Sequence, residues 1–152
     1  MESIFNIAKW FLLKEPMTHK KVQKLCYYSQ AWYKTLYNKK LIDENFEAWV
    51  HGPVSPALYK KYSKHGWNPI EMKIELGNDS ISIDSSISQF LENVWVTYGH
   101  LDGQQLEALT HNESPWILAR GGLNQWARSN KIITLKSMKD YYGALYRENQ
   151  GD

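Results

Sequence analysis

A chain of 152 residues fits one compact domain, taken as 1–152, and buries about 68–70% of its unfolded surface, so it needs no staples. Its net charge of +2 and lone Cys26 argue against a strongly basic nucleic-acid binder, an internal disulfide or a multi-cysteine metal site. Aromatic residues make up 14%, with seven Trp and ten Tyr, a surplus that suggests some of them face a protein partner.

Ser3 or Glu2 starts a first helix, in which Ile4, Ile7, Ala8, Phe11 and Leu12 recur at the helical period until Pro16 stops it. The apolar run around Trp10–Leu13 is too short to span a bilayer, and the amino terminus lacks a signal-peptide pattern. The expected location is therefore the cytoplasm. Thr18 caps a longer helix reaching Tyr37, whose wide stripe of Val22, Leu25, Cys26, Trp32 and Leu36 predicts a central position. From Leu41 the pattern is irregular, with a helical turn expected near Asp43–Phe46 and extended chain at Ala48-Trp49-Val50.

Gly52-Pro53-Val54-Ser55-Pro56 reads as a tight turn followed by a cap with Pro at the first helical position. It launches a third helix over Ala57–Lys64, closed by Gly66. Ile70, Met72, Ile74 and Leu76 alternate, as do Ile81 and Ile83 after Gly77-Asn78-Asp79, which predicts a β-hairpin there. A fourth helix opens at Asp84–Ser86 and carries Ile87, Phe90, Leu91, Val94, Trp95 and Tyr98. Asp102 and Gln105 form a capping pair for a fifth, and Ser114-Pro115 repeats the cap-then-Pro signature before a sixth over Trp116–Arg120. Gly121-Gly122 breaks or bends it, with helical continuation expected at Leu123–Ala127. Thr134 caps a last helix through Tyr146. The predicted fold is mainly α, a compact helical domain of about six to seven helices with a small β-hairpin.

Signatures of chemistry are sparse. There is no GxxxxGK[ST], no GxGxxG after a strand and no GxSxG elbow. Cys26 falls on the apolar stripe of the second helix, where a free cysteine serves as a small filler. His51 and His111 both adjoin turns, and a shared metal would draw a third ligand from Glu47, Asp102, Glu107 or Glu113, which are scattered in sequence. No catalytic residue, metal or cofactor is assigned, and the chain is not expected to be an enzyme.

Three stretches carry a resemblance. They are Lys24-Leu25-Cys26-Tyr27-Tyr28-Ser29-Gln30-Ala31-Trp32; Ala48-Trp49-Val50-His51-Gly52-Pro53-Val54 with Pro56 and Tyr59; and Leu106-Glu107-Ala108-Leu109-Thr110-His111 with Pro115-Trp116 and Ile132-Ile133-Thr134. In this order and spacing the chain resembles the Panacea domain, the family of SocA-like antitoxins that includes phage-associated GepA-like proteins. The resemblance runs from about Ile4 to Tyr146. It implies an antitoxin of a type II toxin–antitoxin system. Such a protein binds a toxin encoded by the neighbouring gene, for instance a translation-targeting toxin of the alarmone-synthetase kind, and blocks its active site. It leaves open delivery of the toxin to a chaperone-protease and a homodimer within the complex. An enzyme of unknown type is the remaining alternative, motivated only by the histidine-bearing loops.

Within the motif, Trp49, His51, Gly52, Pro53, Val54, Pro56, Tyr59, Thr110, His111, Pro115 and Trp116 are read as scaffold. Gly52, Pro53 and Pro56 set backbone geometry, Trp49, Tyr59 and Trp116 pack, and His51, Thr110 and His111 tie two loops together. The candidates for toxin contact are Tyr27, Tyr28 and Tyr33 on the second helix, and Trp95 and Tyr98 on the fourth.

Overall fold

The computed structural model describes residues 1–72 and 81–150. Helices α1 (Ile4–Leu12) and α2 (His19–Tyr37) come first, followed by strands β1 (Glu47–Trp49) and β2 (Gly52–Val54). Helix α3 (Pro56–Tyr62) runs into a single 3-10 turn, Ser63–His65. Helices α4 (Ser85–Tyr98), α5 (Gly103–His111), α6 (Ser114–Arg120) and α7 (Leu135–Gln150) complete the described chain, so the fold is mainly α with one small antiparallel hairpin.

The helix starts follow the capping chemistry of the sequence. Ser3 and Thr18 accept bonds from the amides of Phe5 and Lys21, and Thr134 Oγ1 accepts from Ser137 N. Asp102 and Gln105 close a complete capping box on α5. Helix α2 is the axle. Every residue from Lys21 to Ala31 is buried, because α1, α4, α5, α7 and the hairpin all pack around it. Its polar residues are spent on other segments. Gln23 clamps both backbone groups of Ser55, with Nε2 donating to Ser55 O at 3.0 Å and Oε1 accepting from Ser55 N at 2.9 Å. Gln30 does the same for the bend after α2, accepting from Leu41 N and Ile42 N and donating to Ile42 O.

Those clamps explain one departure from expectation. Asp43–Phe46 forms no helical turn, because Gln30 holds the preceding bend and Phe46 O is taken by Ile133 N at 2.8 Å. The hairpin among the described residues is a different one from the hairpin predicted. The alternating segment Ile70–Ile83 falls largely on residues 73–80, outside those described; Ile70 bridges Met17, and Ile81 and Ile83 pack against the core. The observed hairpin pairs Glu47 with Val54 and Trp49 with Gly52. Leu123–Ala127 is not helical. Gly121 ends α6 in the left-handed region at φ 62°, and Arg120 then draws the carbonyls of Asn124 and Ala127 inward, each at 2.8 Å.

Ser114 is the first residue of α6 and not its cap; Glu113 occupies the cap position. Its side chain does not cap, since the carboxylate is turned into the core. There Glu113 Oε1 accepts from Tyr28 Oη at 2.7 Å and Tyr142 Oη at 2.8 Å. Tyr27 Oη lies 3.1 Å from Tyr142 Oη, Tyr28 stacks on Tyr98 at 4.0 Å, and Trp32 Nε1 donates to Tyr98 Oη at 2.7 Å. One buried carboxylate thereby joins α2, α4, α6 and α7.

Candidate partner-binding site

The motif residues converge on the hairpin. Gly52 begins β2 at φ +103°, a conformation that L side chains rarely adopt, and a Cβ there would stand 2.9 Å from Lys24 Cε and 3.0 Å from Thr110 Oγ1. The backbone conformation calls for glycine, and the close approach adds to the crowding a side chain would meet. The close approach lets Lys24 Nζ donate to Pro53 O at 3.1 Å from inside the protein. Thr110 Oγ1 donates to Glu107 O, capping the end of α5 within its own helix.

The other face of the hairpin is held by α6. Trp116 Nε1 donates to Trp49 O at 2.8 Å, and the His111 ring stacks on Trp116 at 4.1 Å while bonding the Val50 backbone. Pro115 is buried in the first turn of α6, where its missing N–H costs nothing. Arg120 reaches under the hairpin to Ala48 O at 3.1 Å, and Ala48 N donates to Lys131 O at 2.8 Å. Val54 is buried, and Pro56 opens α3 so that Tyr59 meets Trp49 edge-on at 5.0 Å. His51 Nδ1 lies 3.3 Å from Glu107 Oε2, and Lys20 Nζ reaches the other oxygen at 2.6 Å.

The electrostatics follow from this enclosure. Burial brings the Lys24 ammonium down to about 7, assisted by the charge of Lys20 and opposed by Glu107. Burial resists ionisation of Glu107, but the bonds from Lys20 and His51 prevail and hold its carboxyl below the usual range. His111 is pushed down by burial against the pull of Glu107, and His19 by burial and the nearby Lys24 and Lys20.

Above this bonded layer lies an open groove of about 810 Å³. Its floor and inner wall are Glu47, Trp49, Val50, His51 and Tyr59; its outer wall is Trp126, Arg128, Ser129 and Asn130 from the segment after α6. Trp126 is 70% exposed. Glu47 Oε1 accepts from Trp49 Nε1 at 2.9 Å.

The residues expected to touch a toxin are placed differently. Tyr27, Tyr28 and Tyr98 are buried, because their hydroxyls serve the Glu113 cluster and Trp32. They present no surface to a partner. Tyr33 and Trp95 are half-buried, Tyr33 against Phe90 and Trp95 against Phe11. Cys26 is fully enclosed and its thiol is pushed up by burial, which leaves it a core filler and a poor nucleophile. Among the described residues no group of three or more His, Cys, Asp or Glu could hold a metal ion. Sequence reading missed Trp126, Arg128 and the inward role of Glu113. Only the tryptophan carried a signal, as a large aromatic stranded in a polar, glycine-flanked stretch.

Comparison with known proteins agrees with the motif. The family model described as Antitoxin SocA-like, Panacea domain, matches residues 22–117. A curated relative, Antitoxin SocA of Caulobacter vibrioides, is 30% identical over 116 residues, covering 70% of this chain and 62% of the relative. No solved structure matches, and no helix among the described residues is long and apolar enough to cross a membrane. With the matched span holding α2, the hairpin, α5 and the start of α6, this chain belongs to the Panacea-domain family of SocA-like antitoxins.

Proposed function

We propose that this protein neutralises a co-encoded toxin by direct contact, covering the toxin's active site without performing chemistry of its own. The toxin is expected to be the product of the neighbouring gene and to act on translation. The observation that carries this reading is how the hairpin site is bonded. Lys24, Glu107, His51 and Arg120 are each engaged by the protein itself, and the groove beside them presents the aromatic side chains of Trp49, Tyr59 and Trp126. Membership of an antitoxin family supports the same conclusion.

An interface of standard size, about 800 Å² per partner and anchored by a few aromatics, suffices to occlude an enzyme's mouth at nanomolar affinity. The test is to induce the toxin in cells with and without this protein and follow both growth and toxin abundance. Growth should recover while the toxin persists. Recovery accompanied by toxin disappearance identifies delivery to a protease instead, and absence of recovery removes the antitoxin reading altogether.

A further inference from the structure

The groove beside the hairpin is a large concavity with aromatic walls and charged groups that are unequally satisfied. Glu47 accepts the Trp49 indole N–H, and His51 is paired with Glu107. Arg128, by contrast, is exposed where it lines the groove and has no hydrogen bond or ion pair among the described residues. Arg128 therefore offers a positive charge with no acidic partner among the described residues, while Glu47, which accepts only a neutral indole N–H, keeps its negative charge in the same groove. Trp126 stands beside Arg128, 70% exposed, facing a wall formed by Trp49 and Tyr59. Trp, Tyr and Arg are the residue types that dominate binding energy when a partner excludes water from them. At about 810 Å³ the groove admits a segment of chain with large side chains and falls within the range of true binding cavities.

The groove is also preorganised. Its floor is fastened by Trp116 and Arg120 to the backbone of β1, and its outer wall is fastened by Arg120 to Asn124 and Ala127. Little conformational freedom is left to lose on binding. The floor lies inside the span matched by the family, residues 22–117, whereas Trp126 and Arg128 lie beyond it. A common floor with a chain-specific lip is the arrangement that lets one scaffold select a particular partner.

We infer that this groove is the docking site for the toxin, and that its occupant is a toxin segment bearing a bulky apolar side chain next to a carboxylate. The inference rests on the antitoxin reading above. The apolar side chain fills the space between Trp126 and the Trp49–Tyr59 wall, and the carboxylate pairs with Arg128 in a fork-like geometry.

The experiment measures the affinity of the purified product of the neighbouring gene for the full chain and for Trp126→Ala, Arg128→Glu and Val96→Ala. Trp126 and Val96 are both largely exposed, at 70% and 76%, so these variants should fold; circular dichroism and melting temperature verify it. Trp126→Ala and Arg128→Glu should each weaken binding about tenfold or more, with the salt dependence reduced in Arg128→Glu, while Val96→Ala on α4 leaves it unchanged. Unaltered binding by the two groove variants, or a loss confined to Val96→Ala, overturns the groove while leaving the antitoxin reading intact. Tighter binding by Arg128→Glu overturns the acidic occupant. If the unsubstituted chain does not bind at all, the antitoxin reading fails and the docking site falls with it.

Discussion

Lys24 shows how a single side chain records the architecture. Its ammonium is brought down by burial to about 7, from a value of 10.5 when unburied. Between those values the unfolded Lys24 holds a proton that the folded one lacks, so its own contribution to stability rises with pH across that window. The slope should come to about 1 kcal/mol per pH unit in urea denaturation between about pH 7.5 and 8.5. Lys24→Met should abolish that slope, and a slope that persists in the variant would assign it to another group. Above that range the sign reverses. Burial raises Cys26, Tyr27, Tyr28, Tyr98 and Tyr142, so the unfolded chain loses their protons first and stability falls.

Glu113 offers a second test at the same scale. Glu113→Ala leaves two buried hydroxyls, those of Tyr28 and Tyr142, without their acceptor and should cost about 2–4 kcal/mol of unfolding free energy. Glu113→Gln retains an acceptor oxygen and should cost about 1 kcal/mol or less. Equal losses in the two variants would show that the carboxylate is not the joint between helices.

At the scale of elements, the segment after α6 is shaped by one arginine. Arg120 donates to Ala48 O in β1, and to Asn124 O and Ala127 O in the loop, so a planar fork couples hairpin to groove wall. Lysine cannot reach three carbonyls in that geometry. Arg120→Lys should accelerate amide hydrogen exchange over residues 124–130 about tenfold, equivalent to about 1.4 kcal/mol, while the α2 core keeps its protection. Exchange that does not change would detach the wall from the arginine.

The helices were legible because their causes are local. Thr18, Asp102 and Thr134 cap, Pro56 and Gly121 punctuate, and the apolar period of α2 exposes its central place. The hairpin at Glu47–Val54 was read only as extended chain and a turn, because its strands are three residues each. What stabilises it is distant in sequence, from Lys24, Trp116, Arg120 and Lys131. Aromatic exposure was illegible for the same reason. Tyr27 and Tyr28 look like surplus on a helical wheel until Glu113 and Tyr142, far along the chain, supply their partners.

At the scale of the whole molecule, the fold separates holding from reaching. The hairpin is bonded to α2, α5 and α6 in one connected assembly, in which Lys24, Glu107 and Arg120 are each engaged by the protein itself. The floor of the groove, with Trp49 and His51, is part of that assembly, and only the exposed lip of Trp126 and Arg128 lies outside it. This division suits a protein that acts by occupying another, since the frame can stay fixed while the lip sets the choice of partner.

The most direct measurement titrates the purified toxin's own activity with this protein, in the absence of protease and ATP. The expected result is a linear fall to full inhibition at a fixed molar ratio, with the toxin recovered intact. A toxin that stays fully active in the presence of excess protein, or that is inhibited only when a protease and ATP are added, would contradict direct neutralisation.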